Sequence, residues 1–177
     1  PGTSTVAPPT LMRWSAVPTV EAAESTGLDV EGLAAAARRR RTDPSFLPSD
    51  RSEIEDDLRI ASAAVSLAAR RHAGRQHVVF SQAGRLVERS GKDLREVRLL
   101  VGSGGVLRYN AEPDARRVLA AATGDHVEGG WLVPRAPRIV VDSDYVLAPA
   151  GLLAGRAPQA AYRLLSRLSE EPPGYRR

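Results

Sequence analysis

The chain has 177 residues, 42% of them hydrophobic, with 25 Lys and Arg against 21 Asp and Glu, a formal charge of +4 and no cysteine. That length supports one domain with a proper core, or a small helical subdomain packed on an α/β one, and no apolar run nears the ~20 residues of a membrane span. The lack of cysteine excludes a disulfide framework, a thiolate zinc site and a cysteine nucleophile, and fits a reduced, cytoplasmic setting.

A sequence pI of about 10.1 invites a nucleic-acid reading. Lys92 is, however, the only lysine, and the arginine-borne charge accompanies heavy use of Ala, Gly and Pro. An aromatic content of 5% also offers little for base stacking, so a basic nucleic-acid-binding domain is kept only as the lesser alternative. His72, His77 and His126 have no metal-ligand spacing.

In chain order, Pro1-Gly2-Thr3-Ser4-Thr5 has neither a basic n-region nor an apolar h-region, so no secretory signal is read there, and the missing initiator Met points to a fragment. Residues 1–50 read as a lead-in with short helices, partly a helical subdomain: Pro18 opens one helix to residue 24, and Asp29 caps a second to about Arg41. Arg38, Arg39, Arg40 and Arg41 close that helix; they read first as a solvated helix end and alternatively as a patch for phosphate or an acidic partner. Ser52-Glu53-Ile54-Glu55 has the form of a capping box, opening a long helix over 52–74. Ile54, Leu58, Ala61, Val65 and Ala68 give that helix one apolar stripe.

Residues 76–81 and 85–89, joined by Gln82-Ala83-Gly84, predict a hairpin. A strand over 97–101 follows, then a helical turn over 106–109 and a helix from Glu112 to Gly124. Short strands are expected at 131–133 and 138–141, then a helix over 145–153 kinked by Pro149, and a final amphipathic helix over 158–169. Residues 51–177 thus form the α/β lobe.

The stretch that draws a ligand is Gly102-Ser103-Gly104-Gly105, where a run of β-formers ends in glycines. Such a turn lets a flat or anionic ligand approach the main chain without meeting a Cβ. It lacks the Lys-Ser/Thr ending of a P-loop and the spacing of a dinucleotide fingerprint, so the motif alone admits either a plain strand-to-helix turn or a nucleotide site. Asp142 and Asp144 read as caps for the next helix in preference to magnesium ligands or a catalytic base.

Val101-Gly102-Ser103-Gly104-Gly105-Val106-Leu107, followed by Val140-Val141-Asp142-Ser143-Asp144-Tyr145-Val146-Leu147-Ala148-Pro149-Ala150-Gly151-Leu152-Leu153, resembles the C-terminal part of the glutamate mutase L family. Gly91-Lys92-Asp93-Leu94-Arg95-Glu96-Val97 and Arg13-Trp14-Ser15-Ala16 look similar too, extending the likeness from about residue 5 to about residue 169. The resemblance implies an actin-like, ribonuclease H-like ATPase lobe with an added helical part, the C-terminal portion of a longer protein. It implies that Gly102, Ser103, Gly104 and Gly105 match the adenosine motif, with ATP or ADP and magnesium as ligands and an adenosylcobalamin-dependent mutase as the partner to be reactivated.

The first lobe with its phosphate motif is not in this chain, and where the family has Thr-Val-Glu-Gly-Asp-Leu-Gly this sequence has Thr5-Val6-Ala7-Pro8-Pro9-Thr10-Leu11. The expectation is therefore an ATPase-type protein when completed by an N-terminal lobe and no catalysis by the isolated chain. The alternative is a degenerate interaction module that has lost ATP.

Overall fold

Asp50 fixes the start of the longest helix. Its side chain accepts from the Glu53 amide at 2.9 Å, while Glu53 accepts from the Ser49 amide and hydroxyl at 2.8 and 2.9 Å. Those bonds from Ser49 hold the Glu53 carboxyl below its usual range. The capping pair is thus Asp50 with Glu53, and the expected Ser52 and Glu55 box is corrected: the Asp50 carboxyl takes the cap two residues earlier and the helix begins at Arg51.

The computed structural model describes residues 30–43, 45–81 and 84–168. These run α1 (Val30–Thr42), α2 (Arg51–His72), β1 (Arg75–Ser81), β2 (Gly84–Ser90), β3 (Leu99–Gly102), α3 (Gly105–Arg108), α4 (Glu112–Ala120), β4 (Arg138–Val141), α5 (Leu147–Ala154) and α6 (Pro158–Ser166). The helix expected over 18–24 lies outside the described residues. Two small sheets form: β1 pairs antiparallel with β2, and β3 pairs parallel with β4. The mixed α/β class expected from the sequence is what these elements show. Among the described residues, no helix is long and apolar enough to cross a membrane.

α2 has two inward faces. Leu58 is buried with Leu107, Ala115, Val118 and Leu119, and Ile54, Ala61 and Val65 of the predicted stripe pack against that cluster, as do Leu100, Ile139 and Val141 from the parallel strands. One sheet face thereby closes on α2, α3 and α4. The second face was not legible as a stripe: Ile60 packs with Leu33, Ala36 and Ala37 of α1.

α1 is tied to α2 by Arg40, which is 3% exposed. Its guanidinium donates to the Asp57 carboxylate, to the Glu53 carbonyl at 2.8 Å and to the Ala36 carbonyl at 3.1 Å. Arg39 pairs with Glu53 at 2.8 Å, and both guanidinium groups stack on Phe46. The reading of residues 38–41 as a solvated helix end is corrected for Arg40. A bidentate-capable guanidinium is suited to burial against a carboxylate and carbonyls, and Asp57 one helix away supplies the carboxylate.

Other boundaries shift for local reasons. Trp131 forms bridges to Arg75 and Val127 rather than a strand over 131–133, since Leu132 donates to the Gly74 carbonyl at 2.9 Å and accepts from Leu94. Helix α4 stops at Ala120, short of Gly124. Pro149 causes no break, because it is the third residue of α5, where no intrahelical partner for its amide exists. The last helix ends at Ser166.

Removing Asp57 strands a buried guanidinium, so Asp57→Ala lowers stability by roughly 3 kcal/mol. Arg59→Ala, which removes a surface contact to Asp56 at 4.0 Å, changes it by less than about 0.5 kcal/mol. Urea denaturation of the two variants checks the contrast.

Candidate functional site

The apolar run Leu99-Leu100-Val101 forms β3 and the run Ile139-Val140-Val141 forms most of β4, in the register Leu99 with Arg138 through Gly102 with Val141. Strands paired in parallel present both carboxyl ends at the same edge, where ligands of open α/β sheets bind. The ladder continues one step further, the Asp142 amide donating to the Gly102 carbonyl at 2.8 Å. The two loops that follow, Ser103-Gly104 and Ser143-Asp144, therefore leave side by side.

Asp142 joins them. It is 1% exposed, and its Oδ1 accepts from the Val146 amide at 2.8 Å. Oδ2 accepts from the Leu147 amide at 3.3 Å and from the Ser103 hydroxyl at 3.1 Å. The expectation that Asp142 or Asp144 fills the N-cap position of the helix after β4 is corrected: Val146 holds that position and α5 starts at Leu147, while the Asp142 carboxyl reaches the Val146 and Leu147 amides from four and five residues away. That reach needs a sharp backbone reversal, which Tyr145 provides at φ 53, the one positive φ of a non-glycine residue in the described chain. Arg108 stacks on the Tyr145 ring at 4.6 Å and on Tyr109 at 5.4 Å, which ties the end of α3 to the second loop. Neither Tyr145 nor Arg108 carries a sequence signal for this contact, as no spacing links positions 37 residues apart.

The glycines of the turn differ in task. Gly102 is buried, and a Cβ there would stand 2.5 Å from both Leu119 methyls and 2.7 Å from a Leu107 methyl, so its lack of a side chain admits close packing. Gly104 has φ 148 and a Cβ there would meet nothing within 4 Å, so its backbone faces open space. Gly105 begins α3, and Ser103 is exposed. Thus Ser103, Gly104 and Gly105 stand at the open edge, with Gly102 one step beneath them.

Asp144 is exposed, and both Asp142 oxygens are occupied by protein donors. Among the described residues no three His, Cys, Asp or Glu side chains are grouped to hold a metal ion. A groove along α6, lined between Ala157 and Arg167, shares no residue with the glycine turn.

Fold and site together define an α/β protein whose candidate site opens at the carboxyl ends of a parallel strand pair. A family model described as MutL protein matches residues 3–168, and Protein MutL of Clostridium tetanomorphum is 30% identical over 165 residues, covering 88% of this chain and 35% of the relative. The chain belongs to the MutL family, as its resemblance to glutamate mutase L indicated, and it spans about a third of the length of that curated relative. No solved structure matches it.

The two glycines respond differently to an added methyl. Gly102→Ala costs about 1–3 kcal/mol through overpacking, and a double-mutant cycle with Leu119→Val shows favourable coupling because room is made for the new Cβ. Gly104→Ala costs about 1–3 kcal/mol through backbone strain and shows no coupling to Leu119→Val. Denaturant titration of the two cycles checks this.

Proposed function

We propose that this chain is the adenine-nucleotide-binding portion of a glutamate mutase L-like protein that reactivates an adenosylcobalamin-dependent mutase. The observation that carries the reading is Gly104, with free space where a Cβ would stand, at the carboxyl ends of β3 and β4. A nucleoside is flat and lies against main chain, and a glycine here lets it do so. The Ser103 hydroxyl sits beside that glycine, held by Asp142 at 3.1 Å. Family membership supports the wider role.

On this reading residues 51–177 form one lobe of an actin-like ATPase, preceded by a lead-in over 1–50. The residues at the turn suit the nucleoside end of ATP or ADP. They do not suit magnesium, since the Asp142 oxygens are occupied by the Val146 and Leu147 amides and Ser103. Ligands for phosphate and metal would come from an N-terminal lobe, and no hydrolytic step is assigned to this chain.

Isothermal titration of the chain with ATP and ADP, with and without magnesium, tests the reading. Micromolar to millimolar binding is expected, little changed by magnesium and lost in Gly104→Val with the fold retained by circular dichroism. No heat from the folded wild-type chain would contradict it.

A further inference from the structure

The β1–β2 arm stands apart from the glycine turn. Its base is fastened: Gly74 donates to the Lys92 carbonyl at 2.6 Å, Gln76 donates to the Gly130 carbonyl at 2.8 Å, and Arg75 stacks on Trp131 at 4.4 Å. Beyond that base residues 77–80 and 84–90 are exposed, including Val78, Val79, Leu86, Val87 and Phe80, the last at 79%. A two-stranded ribbon with no covered face is marginal in water, and clustered exposed apolar side chains mark interaction surfaces.

The outer edge of β2 is open. Among the described residues no main-chain hydrogen bond of residues 85–89 leads anywhere but to β1, so alternate amides and carbonyls point outward. Such an edge accepts another strand. Along it the side chains read Arg85, Leu86, Val87, Glu88, Arg89. Alternation places Arg85, Val87 and Arg89 on one face, with their β1 partners Phe80, Val78 and Gln76, and Leu86 and Glu88 on the other, with Val79 and His77. The first face carries two guanidinium groups and no carboxylate. Among the described residues Arg85 has no charged partner, and Arg89 acts at a distance on Asp93, which Arg95 holds.

This charge order favours an acidic-ended occupant and weighs against self-pairing centred on Val87. A second copy of β2 laid antiparallel about Val87 would set Arg85 against Arg89 twice, and like charges directly opposite are destabilising. We infer that the β2 edge is a strand-addition site for an extended segment of another protein whose side chains read acid, base, apolar, apolar, acid. Its acids face Arg89 and Arg85, its base faces Glu88, and its apolar pair covers Val87 and Leu86.

The probe is a fluorescent peptide with the core Glu-Lys-Val-Val-Glu, compared by anisotropy with its charge-swapped form, Lys-Glu-Val-Val-Lys. The first is expected to bind roughly tenfold more tightly, and β2 amides to gain exchange protection in the complex. The Arg85→Glu, Arg89→Glu double variant, whose substitutions are exposed and leave the melting temperature unchanged, is expected to reverse the preference. Absence of binding, equal binding of the two peptides, no reversal in the variant, displacement of the peptide by polyuridylate, or concentration-dependent dimerisation of the free chain through this edge would each overturn the assignment.

Discussion

A carboxyl group with 1% exposure is tolerated in a protein interior only when its oxygens are bonded, and Asp142 meets that condition with donors from two separate loops. One oxygen accepts from the Val146 amide just before α5, and the other divides between the Leu147 amide and the Ser103 hydroxyl. The glycine turn after β3 and the acidic turn after β4 are therefore one unit. The strained Tyr145 backbone follows from it, since without a reversal at φ 53 the amides of Val146 and Leu147 could not return to the carboxyl. A conformational cost of order 1–3 kcal/mol is offset by bonds that would otherwise be missing from buried groups.

The scaffold beneath this unit repeats the same physics with the opposite charge. Arg40 is buried between α1 and α2 and is satisfied by Asp57 and two carbonyls. α2 can then serve two clusters, one with α1 and one with α3, α4 and the parallel strands. Gly102 lets Leu107 and Leu119 close directly beneath the turn, so the open edge at Gly104 rests on packed side chains.

The sequence carried the elements well where a local cause exists. The hairpin was legible from two β-prone runs around Gly84, the strands from Leu99-Leu100-Val101 and Ile139-Val140-Val141, and the long helix from its Leu58 stripe. What escaped were features set by partners distant along the chain. Arg40 looked like one of four equivalent cations until Asp57 stood opposite it. Ile60 fell outside the stripe because it faces a second helix. Trp131 lost its strand because residues 74 and 94 take the bonds of its neighbour Leu132. At the site, the glycines were readable as a turn, while the place of Asp142, four residues before the N-cap Val146, and its joining to the turn through Ser103 depend on a parallel register that no local pattern encodes.

The chain belongs to the MutL family, and the proposed nucleotide reading stands on the geometry that Asp142 maintains. Amide hydrogen exchange on Asp142→Asn tests that dependence most directly, since the side-chain NH2 of the variant cannot accept from an amide. Val146 or Leu147 is expected to exchange roughly tenfold faster, with protection also falling across residues 103–105 and unchanged in β1 and β2. Full protection of both amides in the variant would show that the two loops hold their places without the carboxylate, and would contradict the account.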